Sequence, residues 1–185
     1  MKIPLSLLSI LFCLNGLTLN AANSSIDVEP LSEKSYVALY TCDPGKELYA
    51  TFGHSAIGVI DPVQNLFVVF NYGTFDFNVP HFYLKFASGK LLYKISAGNY
   101  YKFLVVYEME QRRVVEQQLN MSLSQRQRLL DLLLENYKPE NREYQYDFFF
   151  DNCASRILDM LYLTLGDTLV YKSDAVAAQP TFREL

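Results

Sequence analysis

The sequence predicts an α+β domain in which an antiparallel sheet packs against helices. Three observations carry that reading. Short β-branched and aromatic runs alternate with turn residues, two of these runs flank Asp61-Pro62 as a hairpin would, and two longer stretches at 123–137 and 153–165 open on helix-capping residues. At 185 residues the chain has the size of one domain. Half of it is hydrophobic, 19% is charged and 15% is aromatic, which is too apolar for a disordered chain.

Residues 1–21 read as a secretory signal: Lys2, an apolar run over 3–19, then the small Ala21 and Ala22 where a peptidase could cut. Pro4, Ser6, Ser9, Asn15 and Gly16 interrupt the run, so it matches poorly the roughly 20 clean apolar residues of a spanning helix. The competing reading is an uncleaved anchor. Cys13 follows Ile10, Leu11 and Phe12 rather than small residues, so no lipidation is expected. Residues 22–35 are polar and read as a flexible leader, with the domain proper over 36–185.

Within the domain, 36–41 reads as a strand, Asp43-Pro44-Gly45 as a turn, and 55–60 with 66–71 as a hairpin. A turn centred near Pro62 and Val63 makes cross-strand partners sum to 125 or 126, which sets His54 beside Asn71 or Tyr72. Residues 75–86 read as an aromatic loop, and further strands are predicted at 90–96 and 101–108, about five in all. Ser122 and Gln125 have capping-box spacing before the leucine stripe of 123–137, which ends ahead of Pro139. Residues 141–150 read as extended, and Asp151-Asn152 offers an N-cap for a helix from Cys153 to about Leu165, stopped by Gly166. The ending at 179–185 reads as interrupted, so the domain is expected to be truncated there.

Composition excludes some functions. Sixteen Lys and Arg stand against twenty Asp and Glu, net −4, with no basic block to neutralise phosphates, so nucleic acid is not an expected partner. Loss of residues 1–21 removes Lys2 and no acid, leaving net −5. It also leaves two cysteines, Cys42 and Cys153, in a compartment that permits disulfides, and their pairing is the plain structural reading. The cysteines and histidines match no zinc spacing and no phosphate-cradling glycine motif occurs, so neither metal nor cofactor is expected.

The chemistry centres on Cys153. A thiol in the first turn of a helix meets unpaired backbone N–H groups and the positive end of the dipole, which favour the attacking thiolate. The same N–H groups, helped by the Asn152 amide, could hold an oxyanion, and Arg156 would add positive charge if it faces the site. A thiol enzyme needs a base, and after the signal the chain has only His54 and His81. His54, behind Gly53 at the entrance of an apolar strand, is the better placed. With Asn71 across the hairpin, a Cys-His-Asn trio is geometrically possible, with Tyr72 as the alternative orienter of the ring. Asp61, Asp76, Asp147 and Asp151 lie in turns and caps, the ordinary place for acids.

Several motifs in one order carry a resemblance: Thr41-Cys42-Asp43-Pro44-Gly45, Thr51-Phe52-Gly53-His54-Ser55-Ala56-Ile57, Phe70-Asn71-Tyr72-Gly73-Thr74-Phe75-Asp76-Phe77 and Asp151-Asn152-Cys153-Ala154-Ser155-Arg156. Together they resemble the N-terminal periplasmic domain of the Lnb lipoprotein N-acyltransferases. The histidine-first, cysteine-last order also resembles circularly permuted papain-like thiol enzymes. The resemblance implies a permuted papain-like fold in the periplasm, associated with the inner membrane. It implies that Cys153 carries an acyl chain from a phospholipid as a thioester to the amine of a lipoprotein N-terminus, with His54 as base and Asn71 holding the imidazole. Phe75, Phe77, Phe82 and Tyr83, with Phe86, would form a greasy entry at the membrane surface. Cys42 resembles a recurrent family cysteine, and a bond from it to Cys153 would inactivate the thiol. Two other readings use the same features: a cysteine peptidase or amidase of the envelope, and an inactive lipid- or partner-binding fragment.

Overall fold

The computed structural model describes residues 28–169. The expected secretory signal, the first part of the leader and the ending from residue 170 lie outside the described residues. The described residues form an α+β structure with one six-stranded antiparallel sheet and four α-helices. In chain order these are β1 (Tyr36–Cys42), β2 (His54–Asp61), β3 (Leu66–Thr74), α1 (Phe82–Ala87), β4 (Leu92–Asn99), α2 (Tyr100–Met109), β5 (Val114–Gln118), α3 (Leu123–Tyr137), β6 (Glu143–Gln145) and α4 (Cys153–Leu165). The sheet runs β5-β1-β2-β3-β4-β6.

Strand alternation sorts the core into two layers. Ile57 and Val59 of β2 with Val68, Phe70 and Tyr72 of β3 face Leu129, Leu130 and Leu133 of α3 and Ile157 and Leu161 of α4. Each such side chain contributes roughly 1.5–3 kcal/mol by leaving water. Ala38, Tyr40, Ala56 and Val69 lie on the opposite face, covered by Tyr100 and Phe103 of α2 and by Val114.

The leucine stripe begins where its cap predicts: Ser122 Oγ accepts from Gln125 N at 3.3 Å, and Gln125 Oε1 accepts from Ser122 N at 2.8 Å. The hairpin is a residue or two out of the expected register. Ile57 pairs with Phe70, so partners sum to 127, because the turn spans four residues: Asp61 Oδ1 accepts from Val63 N at 3.0 Å, and Asn65 adopts φ 54°.

The structure departs from the sequence expectations in three elements. Residues 101–108 form helix α2, not a strand. The Asn99 side chain caps it, accepting from Tyr101 N at 3.0 Å and Lys102 N at 3.2 Å, and this start signal outweighs the β-branched and aromatic content. Strand β5 was not anticipated, because its Val-Val-Glu-Gln-Gln is largely polar and exposed, as an edge strand pairing only with β1 can be. Part of the aromatic loop is also helical, as α1.

Residues 28–35, read as flexible leader, are tied down. Leu31 is buried and its N–H donates to Gln127 Oε1 at 2.7 Å, while Ser32 donates through N and Oγ to the Asp61 carboxylate at 2.6 and 2.7 Å. Burial alone would raise the Asp61 carboxyl, but the Ser32, Val63 and Gln64 hydrogen bonds outweigh it and hold the group below the ordinary carboxylate range.

Candidate active site

His54 opens β2, and Gly53 before it sits at φ +78°, where a Cβ would come within 2.6 Å of Cys42 O. Only glycine lets the chain turn into the strand so close to β1. His54 Nε2 and Asn71 Oδ1 lie 3.1 Å apart. Continued past Ile57 and Phe70, the register sets His54 opposite Gly73, so Asn71 reaches the ring diagonally on the same face. Asn71, not Tyr72, holds the imidazole: the buried Tyr72 sends its hydroxyl to Asn136 Oδ1 at 2.9 Å.

An amide oxygen can only accept, so this contact favours the tautomer in which Nε2 carries the proton and Nδ1 keeps its lone pair. Nδ1 has no hydrogen-bond partner among the described residues. Burial pushes the imidazole below its ordinary range, the bond to Asn71 partly restores it, and the Arg112 charge lowers it further.

Cys153 is the first residue of α4, a half-buried free thiol. Asn152 caps the helix, its Oδ1 accepting from Ala154 N at 2.9 Å and Ser155 N at 3.0 Å, while its Nδ2 donates to Phe148 O at 3.0 Å. The amide oxygen and one Nδ2 hydrogen are thus committed to the cap, which leaves the Cys153 backbone N–H, unpaired among the described residues, and the second Nδ2 hydrogen of Asn152 as donors at the helix mouth. Arg156 does not face the thiol as a lone charge. It forms a bidentate pair with Asp151, Nη2 to Oδ2 at 2.6 Å, and lies 4.0 Å over the Tyr144 ring. Cys42 is a second free thiol, buried and unbonded to Cys153; burial pushes its thiol up.

By alternation His54 and Asn71 project toward the α2 side, whereas Cys153 belongs to the α3 and α4 layer. They meet at the end of the sheet, where His54 and Cys153 line one cavity of about 260 Å³ with Phe52, Tyr72, Tyr93, Tyr146 and Phe148. No hydrogen bond joins the two groups. Gly73, at φ +81°, stands where they meet, and a Cβ there would lie 3.9 Å from Cys153 Cβ. A second cavity of about 330 Å³ lies on the other side of His54. Tyr49, Gly53, His54, Gly73 and Phe75 line both.

The expected greasy residues divide. The rings of Phe75, Phe77 and Phe82 lie 4.8 to 5.7 Å apart in edge-on or tilted contacts, with Phe75 on both cavities, Phe77 on the second, Phe86 on the first and Phe82 on neither. Tyr83 points outward, 82% exposed. Sequence reasoning missed Phe52 and Phe148, whose rings lie 4.7 Å apart at the rim, although the run Phe148-Phe149-Phe150 between two aspartates was a visible signal. Asp147 Oδ1 accepts from Phe149 N and Phe150 N, and the backbones of Asp147 and Asp151 pair, which holds Phe150 out at 84% exposure. Arg112 and Glu110, on the second cavity, gave no sequence signal.

Among the described residues no helix is long and apolar enough to cross a membrane, and no three His, Cys, Asp or Glu side chains gather as a metal site. Comparison with curated proteins and with solved structures gives no match. The family model described as the Lnb N-terminal periplasmic domain matches residues 26–183, and the chain belongs to that family of periplasmic domains.

Proposed function

We propose that the domain is a thiol acyltransferase of the periplasm, moving an acyl chain from a phospholipid through Cys153 to the N-terminal amine of a lipoprotein. The observation that carries this reading is His54, with Nε2 held by Asn71 and Nδ1 without a partner among the described residues, lining one cavity with a thiol at a helix N-terminus. Family membership supports it. The sheet-and-helix arrangement is compatible with a permuted papain-like scaffold, which is part of the proposal. So are export through the signal at 1–21 and work at the inner-membrane surface.

In the first half-reaction Nδ1 takes the Sγ proton and the thiolate attacks the ester carbonyl. The oxyanion meets the Cys153 N–H and the positive end of α4. The ester C–O bond breaks, His54 returns its proton to the leaving lysolipid oxygen, and a thioester remains on Cys153. In the second half a neutral amine attacks the thioester and gives a proton to His54. The C–S bond breaks and the sulfur recovers that proton. Phe52, Phe75, Phe86, Tyr93, Tyr146 and Phe148 line the space an acyl chain would fill, and excluding water there protects the thioester.

Mature protein incubated with phospholipid and a diacylglyceryl-cysteine peptide tests this by mass spectrometry. One acyl adduct on Cys153, followed by acyl gain on the peptide amine and abolished in Cys153→Ser, is the expected result. Peptide cleavage without acyl gain would replace the reading with a peptidase or amidase, and neither product would leave a binding module.

A further inference from the structure

The second cavity has no occupant in the chemistry above. It lies on the α2 side of His54 and includes Asn71, Thr74, Ser96, Glu110 and Arg112 in its walls. Where the Cys153 cavity is mostly aromatic, this one carries charge. The Arg112 side chain is only 9% exposed, and a buried guanidinium demands partners. Its Nε donates to Asp43 O at 2.8 Å, its Nη1 donates to Glu110 Oε2 at 2.8 Å, and its Cζ lies 4.6 Å from the Tyr107 ring centre. Nη2 is buried and has no acceptor among the described residues. An unmatched charged donor costs more than a neutral one, so an oxygen that reached it from outside the chain would be a favourable partner.

We propose that this cavity is a phosphodiester subsite, in which Arg112 Nη2 donates to a phosphate oxygen of the acyl donor's headgroup. The donor's identity rests on the acyl-transfer reading; the chemistry of the subsite rests on the unfilled nitrogen. A guanidinium already held on two sides is preorganised, so little freedom is lost when a third partner arrives. A phospholipid lying across His54 would have its acyl chain in the aromatic cavity and its headgroup in the polar one. Its ester would then fall near the residues common to both. Glu110, 48% exposed, adds a carboxylate to the same wall. A headgroup with an ammonium beside its phosphate therefore meets complementary charge at both ends, whereas free phosphate meets it at one.

The test uses mature protein with two acyl donors, dihexanoyl phosphatidylethanolamine and the uncharged p-nitrophenyl hexanoate, and follows acylation of Cys153 by intact mass. In Arg112→Gln the ratio of the phospholipid rate to the ester rate is expected to fall roughly tenfold or more, the worth of one charge-assisted hydrogen bond, with part recovered in Arg112→Lys. Equal losses with both donors would overturn the proposal, since a disturbed α2–β5 connection would produce that. Independently, glycerophosphoethanolamine is expected to shift the His54 ring resonances in the wild type and not in Arg112→Gln. A response to inorganic phosphate with none to the diester overturns the headgroup assignment. If neither donor acylates Cys153, the acyl-transfer reading fails, and the resonance shift still decides whether the cavity takes a phosphodiester.

Discussion

Asn71 Oδ1 sits 3.1 Å from His54 Nε2, and that contact favours Nδ1 as the imidazole nitrogen left to accept a proton. Asn71→Ala is therefore expected to slow acylation of Cys153 about three- to tenfold, the worth of one orienting hydrogen bond. The ¹⁵N shifts of the ring should show loss of the Nε2–H tautomer. A slower rate with an unchanged tautomer would assign Asn71 a packing role instead.

The acid limb of kcat/KM is expected below the ordinary histidine range. Burial and the Arg112 charge both disfavour imidazolium, so His54 stays a base further into acid than a solvated histidine does. Neutralising Arg112 removes one of those causes, and Arg112→Gln should move the limb upward. A pH–rate profile on both proteins decides the sign.

Gly53 and Gly73 are expected to respond differently to alanine. Both sit at positive φ, but at Gly53 the new methyl also meets Cys42 O at 2.6 Å, while at Gly73 its nearest contact is an ordinary 3.7 Å. Gly53→Ala should cost more than the roughly 1–2 kcal/mol of a left-handed alanine, and Gly73→Ala about that much. Urea denaturation of the two variants measures the gap.

Alkylation should separate the thiols. Under native conditions one equivalent of maleimide is expected on Cys153, with Cys42 reacting only after denaturation, because burial both shields it and raises its thiol. Peptide mapping after a short pulse identifies the site, and a disulfide-linked 42–153 peptide would contradict the free thiols.

Asp61 should make the fold sensitive to acid. Its folded carboxyl is lowered, so its contribution is fully present above the unfolded value and is lost as pH falls through the folded one. As pH falls through and below the ordinary carboxylate range, Asp61→Asn should therefore lose less stability than the wild type, while at neutral pH it should be less stable by about 1–3 kcal/mol. Thermal melts across that range test both.

Much of this was legible beforehand where a local signal agreed with the global fold. Ser122, Asn152 and Gly166 marked helix ends by hydrogen bonds made within a few residues, and His54, Asn71 and Cys153 stood beside such signals. Helix α2 was not legible, because Tyr101, Val105 and Val106 read as strand until Asn99 is seen capping them. Strand β5 carried no pattern of its own, since its place follows from the free edge of β1. Arg112 was hidden for the same reason: only the pairing of β5 with β1 brings the segment before it to Asp43 and the cleft.

Helix α4 mounts the Cys153 sulfur on its first residue and anchors itself by Ile157 and Leu161 in the main core. The proposed nucleophile therefore has no hinge of its own, and a void opened beneath the helix would be transmitted to the sulfur as a displacement. Heat inactivation should consequently track the loss of tertiary structure degree for degree, with no temperature window in which a folded body carries an idle thiol.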